Sequence, residues 1–189
     1  MIVIINNGGQ YVHRIWRSLK YLNVESEIVD VRTPVSEVEE KNPEGLILSG
    51  GPYSAYSERE LLSLNNRILE KEYPVLGICL GHQIIAEHFG GNVEVGSKAE
   101  YAEVEIRVLE KDDLFRGLDD KLTVWESHKD EVVKLPDDFI CLANSSICEI
   151  EAMKHEKRAV YGVQFHPEVH HTPTGSDILK NFVEVCKRH

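Results

Sequence analysis

The sequence predicts an α/β fold, three layers deep, with a mostly parallel central sheet, helices on both faces and an additional antiparallel β section in the second half. Apolar, β-rich runs alternate with helical patterns up to Gly90, which is how parallel strands joined by crossover helices read in a sequence. Beyond Gly90-Gly91 short β-like segments follow one another with only turn residues between them.

Ile2 to Ile5 is wholly apolar, as a parallel strand buried on both faces must be. Gln10 to Leu22 sets Val12, Ile15, Trp16, Leu19 and Leu22 at helical spacing, so one face of this helix packs on the sheet. Val24 to Val31 is the second strand. Thr33-Pro34 then opens a short helix reaching Lys41, proline being tolerated in the first helical position. Gly45 to Leu48 is a third strand ending in Ser49-Gly50-Gly51-Pro52, a loop at the carboxyl edge of the sheet, where α/β proteins bind ligands. A helix over Glu58 to Lys71, a strand over Pro74 to Ile78 and a helix over Leu80 to Phe89 complete the first half. In the second half, strands are expected at Val93 to Val95, Tyr101 to Leu109, Leu122 to Glu126, Glu131 to Lys134, Phe139 to Ala143, Ile150 to Met153 and Ala159 to Gln164. A final helix, Asp177 to Lys187, carries Ile178, Leu179, Phe182, Val183 and Cys186 on one face. No repeat, low-complexity segment or linker intervenes, so residues 1–189 read as a single domain.

Composition narrows the function classes. A chain of 189 residues, 42% apolar and 28% charged, has the make-up of a globular domain with a substantial core. Its net charge of -11 opposes nucleic-acid phosphates and anionic membrane surfaces, so neither is expected as a partner. No stretch approaches the ~18 apolar residues of a membrane span, and the first residues lack the pattern of a secretory signal. A cytoplasmic location is the expectation. Cys79, Cys141, Cys148 and Cys186 form no C-x-x-C pair, so neither a metal site nor a disulfide framework is indicated.

One of these cysteines is framed differently from the rest. Cys79 has a glycine two residues to each side, in Gly77-Ile78-Cys79-Leu80-Gly81, between an apolar strand and a helix. The G-x-S-x-G elbow of hydrolases presents its nucleophile on such a strained strand-to-helix turn. The helix that follows points its N–H groups and dipole at the sulfur, which favours the anion and can hold a developing oxyanion.

A cysteine nucleophile needs a base to take its proton and a group to orient that base. Among nine histidines, His166 lies immediately past a predicted strand in Gln164-Phe165-His166-Pro167-Glu168, with a carboxylate two residues on. Glu168 can accept a hydrogen bond from the far imidazole nitrogen and so fix its tautomer. His82 points away from the elbow and reads as packing or surface, while His88 lies too far along the helix. His166, His170 and His171 do not form a metal cluster, because Pro167 spoils the helical geometry that would align them. Gly51, at the end of the third strand, can supply an amide to an oxyanion hole together with Leu80.

Taken together and in this order, Ser49 to Pro52, Gly77 to Gln83 and Gln164 to Val169 closely resemble the class I glutamine amidotransferases. Within that family Asn7 to Tyr11, Trp125 to Val132 and Glu151 to His155 are similar to the free-standing glutaminase subunits of archaeal GMP synthesis. The resemblance spans essentially the whole chain. It implies Cys79 as nucleophile, His166 as base and acid, Glu168 as orienting carboxylate, and Gly51 and Leu80 as oxyanion donors. It also implies that Gln83, Ser127, His128 and Asp130 line a pocket for L-glutamine. By itself, Ser127-His128-Lys129-Asp130 reads as a solvated turn. The family commonly has Asp where Asn6 stands, and relatives with fused subunits often have Gly at the Lys129 position.

The resemblance further implies a reaction in two places. Glutamine would be hydrolysed here, with no cofactor in this chain. The ammonia would pass to a separate ATP-pyrophosphatase subunit that uses ATP and Mg to aminate xanthosine monophosphate (XMP) to guanosine monophosphate (GMP). Ser49-Gly50-Gly51 is superficially like the phosphate loop of such synthetases, but Tyr53 occupies the position where that loop needs Asp. Docking would surround the thiol mouth, including Ser54 to Arg59 and His170 to Ser176. Three rival readings remain: a glutaminase serving anthranilate, carbamoyl phosphate or CTP synthesis; a cysteine hydrolase on a related fold; and a catalytically idle module that regulates a synthetase.

Overall fold

Alternate residues of the first strand, β1 (Ile2–Asn6), divide the core in two. Ile2 and Ile4 join Ile15 and Leu19 of α1 (Val12–Tyr21) and Phe182 of α5 (Gly175–Cys186). Val3 and Ile5 join Val38 of α2 (Val35–Glu40), Ile68 of α3 (Ser63–Leu69) and Ile84 of α4 (Leu80–His88) on the other face. Period-2 alternation in a strand covered on both sides therefore produces the three layers.

The structure is a computed structural model describing residues 1–189, with the side chains of residues 1–96 and 101–189. The remaining strands are β2 (Ser26–Asp30), β3 (Gly45–Leu48), β4 (Val75–Ile78), β5 (Asn92–Val108), β6 (Lys121–Lys134), β7 (Phe139–Asn144), β8 (Ala152–His155) and β9 (Val160–Val163). Among the described residues they form one nine-stranded sheet in the order β2-β1-β3-β4-β9-β8-β7-β5-β6. Pairing is parallel from β2 through β9 and antiparallel from there to β6. The expected mixture of a parallel half and an antiparallel addition is thus found.

Two features of this topology position the site. Strand order reverses between β1 and β3, a switch point whose carboxyl-end crevice accommodates ligands in doubly wound sheets. There the Asn7 N–H donates to Ser49 Oγ and Asn7 Nδ2 donates to the Ser49 carbonyl, both at 2.9 Å, tying the two strand ends together. The last strand, β9, inserts beside β4 in register, Ile78 opposite Val163, so residues far apart in sequence emerge side by side.

The structure departs from the sequence expectations in three places. The helix expected over Glu58 to Lys71 is confined to α3, because Glu58 accepts hydrogen bonds from the Ser54 N–H and the Ser57 hydroxyl. Such local side-chain bonds compete with helix propagation. Pro34 is the N-cap of α2, with ψ 140°, and not its first helical residue. The separate segments Val93 to Val95 and Tyr101 to Leu109 are one strand, β5; Leu122 to Glu126 and Glu131 to Lys134 are likewise one, β6. Their polar middles hid the continuity, since in β6 the inward positions after Leu122 and Val124 are Glu126 and His128; β5 pairs with β7 only at Arg107 and Val108, leaving most of β5 and β6 as a ribbon. Ser127 to Asp130 is accordingly strand, with Tyr101 opposite Ser127 and Val95 opposite Asp130, and not a turn.

Candidate active site

Cys79 is the N-cap of α4 and one of the few non-glycine residues with positive φ, at φ 52° and ψ -104°. The strain is held by its surroundings: its N–H donates to the Val163 carbonyl at 2.8 Å, and its own carbonyl accepts from the Gln83 N–H at 3.1 Å. The flanking glycines are a packing requirement. A Cβ on Gly77 would lie 2.4 Å from the Gly81 carbonyl carbon, and one on Gly81 would lie 2.2 Å from the Leu48 carbonyl oxygen. The elbow can be this tight because both positions lack a side chain.

The insertion of β9 brings His166 to this turn. A Cβ on Gly50 would meet His166 Cε1 at 3.2 Å and Cys79 Cβ at 3.5 Å, so the three residues share one small volume. His166 is anchored through its backbone, its N–H donating to the Trp125 carbonyl at 3.0 Å and its carbonyl accepting from Thr172 Oγ1 at 2.7 Å. The Tyr11 ring packs edge-on against the imidazole with centroids 5.1 Å apart. His166 Nδ1 is 2.8 Å from Glu168 Oε1, which leaves Nε2 for the sulfur. Burial alone would depress the imidazole. The charge of Glu168, then the charge of Cys79 and hydrogen bonds to both, outweigh it and raise His166 well above its usual 6.5.

All the site residues expected from the sequence line a single cavity of about 620 Å³: Cys79, His166 and Glu168, Gly51 and Leu80, and Gln83, Ser127, His128 and Asp130. Leu80 is the first residue of α4, so its N–H has no acceptor within the helix. Gln83 Nε2 donates to the Asp130 carbonyl at 2.7 Å and to Gln164 Oε1 at 3.2 Å, bracing the far wall against α4. His128 uses both ring nitrogens inside the protein: Nδ1 is 3.0 Å from the Asp130 carbonyl and Nε2 is 3.1 Å from Glu126 Oε2. His128 therefore shapes the wall and does not offer a ring nitrogen to the cavity. Asn6 accepts from the Gly8 N–H at 2.8 Å and so forms the turn after β1.

Residues set aside from the sequence lie elsewhere. His82 is fully buried behind the wall, held down at about 3 by burial and by His128. His88 contacts Asn66, and His171 contacts Glu103. Among the described residues no group of three or more His, Cys, Asp or Glu could hold a metal ion, and no helix is long and apolar enough to cross a membrane. Sequence reasoning missed Tyr11 against the imidazole, Tyr53 in the cavity lining and Glu126 behind the wall, while Tyr56, within the segment expected around the thiol, lines the same cavity. An aromatic just past the first strand was a usable signal for Tyr11, and the alternation Leu122, Val124, Glu126 was one for Glu126.

Comparison with known proteins agrees with this architecture. The family described as glutamine amidotransferase class-I matches residues 3–186. A glutamine-hydrolyzing GMP synthase subunit from Pyrococcus abyssi is 56% identical over 186 residues, covering 98% of each chain. The protein of the same name from Methanothermobacter thermautotrophicus is 54% identical over 187 residues, covering 99% of this chain and 98% of its own. A crystal structure of a proposed GMP synthase subunit from Thermoplasma acidophilum superposes with a TM-score of 0.93 at 40% identity, covering 99% of this chain and 94% of that one. A glutamine amidotransferase from Thermotoga maritima superposes with a TM-score of 0.74 at 25% identity, covering 99% of this chain and 82% of its own. With a family match across nearly the whole chain and relatives identical at more than half their positions, the chain belongs to the class I glutamine amidotransferase family.

Proposed function

We propose that this chain is the glutaminase component of a two-subunit GMP synthase: it hydrolyses L-glutamine through a Cys79 thioester and delivers the ammonia to a separate ATP-dependent synthetase. The observation that carries this reading is the buried arrangement of Cys79 on its strained turn beside a His166 that Glu168 keeps charged. Residues 1–189 act in it as one domain.

The charged imidazole enters the reaction with the required proton already in place. The Cys79 thiolate attacks the side-chain carboxamide carbon of glutamine, forming the C–S bond and moving charge to the amide oxygen. The N–H groups of Leu80 and Gly51 receive that oxyanion, each such donor being worth roughly 2.7–4 kcal/mol. Collapse breaks the C–N bond as His166 Nε2 gives its proton to the departing nitrogen, releasing ammonia. The now neutral imidazole takes a proton from water, hydroxide adds to the thioester, and the thiolate leaves with glutamate formed. Glu168 stays ionised and stabilises the imidazolium at each stage. Asp130 pairs with the substrate α-amino group, where opposite charge and hydrogen bonding act together.

The relatives' names support the acceptor, and ATP and Mg belong to the partner protein in this reading. The partner docks around the cavity mouth, so that ammonia avoids bulk water. The test is ammonia release from glutamine, measured alone and with the synthetase, ATP, Mg and XMP. Formation of GMP is expected. Glutamine hydrolysis with no complex and no GMP would reassign the acceptor, and undiminished hydrolysis by Cys79→Ala would remove the thioester.

A further inference from the structure

A polar cluster that the thioester chemistry does not use lies directly behind the cavity wall. Glu126, on β6, and Glu151, just before β8, are both fully buried. Burial first, then the charge of Glu126 and a hydrogen bond between the two carboxyl groups, push Glu151 up to about 9. Two adjacent buried carboxyls cannot both ionise without a large repulsion, so one proton is shared between them. Glu151 is the member of the pair whose carboxyl is raised, and the two acids hold that proton between them.

On its other side Glu126 meets the wall. Its Oε2 is 3.1 Å from His128 Nε2, and the opposite ring nitrogen, Nδ1, is 3.0 Å from the Asp130 carbonyl oxygen. A carbonyl only accepts, so Nδ1 carries a hydrogen. Nε2, on the far side of the ring, is thereby turned toward the Glu126 carboxyl. The same Asp130 oxygen accepts from Gln83 Nε2 at 2.7 Å, and Gln83 lies one turn along α4 from Cys79. A continuous path thus runs from Glu151 through Glu126 and His128 to the Asp130 carbonyl and on to the helix that carries the sulfur. The other titratable groups facing it among the described residues are His82 of α4, kept neutral at about 3 by burial and His128; Glu131 of β6; and the Cys148 and Cys141 thiols, both pushed up by burial.

We propose that Glu126 is a positioning residue for the substrate: through His128 its carboxyl group holds the Ser127 to Asp130 wall at the separation from Cys79 that bound glutamine requires, whereas Glu151, which does not touch the wall, only packs behind it. The proposal rests on the reading of this cavity as the glutamine site. It assigns unequal roles to two neighbouring acids, and that inequality is what makes it testable.

The experiment is steady-state glutaminase kinetics on Glu126→Gln and Glu151→Gln in the full chain, with nucleotides and the synthetase present. Replacing Glu126 removes the carboxyl group that holds His128 Nε2, so KM for glutamine rises about tenfold or more, with kcat within about twofold. Replacing Glu151 keeps a donor, since an amide N–H stands where the carboxylic O–H stood, and KM stays within about twofold of the unmodified protein. Alkylation of Cys79 by iodoacetamide proceeds at the unmodified rate in both, which separates a wall effect from damage to the thiol. If Glu126→Gln does not fold, Glu126→Asp replaces it: the shorter carboxylate cannot reach His128, and the same rise in KM at retained kcat is expected. An unchanged KM in the Glu126 variants, or an equal rise in Glu151→Gln, overturns the proposal while leaving the glutaminase reading intact. Absence of glutamine hydrolysis in the unmodified protein overturns that reading and the proposal with it.

Discussion

Nδ1 of His166 lies 2.8 Å from Oε1 of Glu168, with both side chains almost out of contact with water. A carboxylate so placed fixes which imidazole nitrogen faces the sulfur and keeps the ring charged. Replacing Glu168 with Gln preserves the shape and removes the charge. kcat for glutamine hydrolysis is expected to fall by roughly two orders of magnitude or more. Because Glu168 is the largest influence raising His166, the alkaline limb of the rate profile should move to lower pH. A profile with an unmoved limb would dissociate Glu168 from the imidazole.

The same pair makes a statement about stability. The His166 value is raised in the folded protein, so its contribution is fully present below its usual 6.5 and is lost as pH rises through the raised value. Denaturant titrations at several pH values should show the stability advantage of the unmodified protein over Glu168→Gln shrinking toward alkaline pH. An advantage that grows there would reverse the sign of this linkage.

Glu151 behaves alike for a different reason. Its carboxyl is about 9 in the fold against 4.5 in an exposed chain, raised chiefly by burial. Unfolding therefore releases a proton between those values, and stability declines as pH climbs from about 4.5 to about 9. Glu151→Gln removes this slope, so its melting temperature should fall less over that interval than that of the unmodified protein. Parallel melting curves across the range would contradict a protonated Glu151.

Strain at the nucleophile gives a thermodynamic test independent of catalysis. Cys79 occupies φ 52° and ψ -104°, where a Cβ is crowded and glycine is not. Both Cys79→Ala and Cys79→Gly should abolish glutamine hydrolysis. The glycine variant should be the more stable of the two by about 1 kcal/mol, the usual cost of such a backbone, net of the extra freedom glycine has when unfolded. Equal denaturation midpoints would mean that the turn is unstrained.

The glycine beyond the thiol tests the packing that permits the turn. In Gly81→Ala the new carbon would fall 2.2 Å from the Leu48 carbonyl oxygen, a backbone atom that cannot swing aside. A loss of about 1–3 kcal/mol, typical of forced overpacking, is expected in chemical denaturation. Activity should drop with it as α4 shifts. Full stability would mean that β3 and α4 can separate at little cost.

How much of this is legible in the sequence depends on whether the signal is local. The elbow was readable at Gly77, Cys79 and Gly81 because a thiol framed by glycines between a strand and a helix has few other uses. Gly45 to Leu48 was readable to the residue, being an apolar run bounded by turn residues. The stretch from Ser127 to Asp130 was not, since its polar residues line a cavity and the inward position there is held by His128 and not by an apolar residue. Glu58 showed a helical sequence neighbourhood, yet its side chain closes a turn with Ser54 and Ser57 instead. Glu126 was legible only as the next inward position after Leu122 and Val124, on the same strand face as His128, and its meeting with Glu151 comes from far along the chain.

By itself the sequence determined the layered α/β plan, the thiol on its glycine-framed turn and the His166–Glu168 pair, all of which are matters of spacing within a few residues. Only the tertiary structure decided that β9 inserts beside β4, which sets residue 166 against residue 79, and that β6 folds back to wall the cavity. Strand order is governed by the sum of many long-range contacts and crossovers, so no short segment encodes it. The protonation of Glu151 and the charge on His166 follow from that same packing, since each is set by neighbours and burial that the fold, and not the chain, supplies.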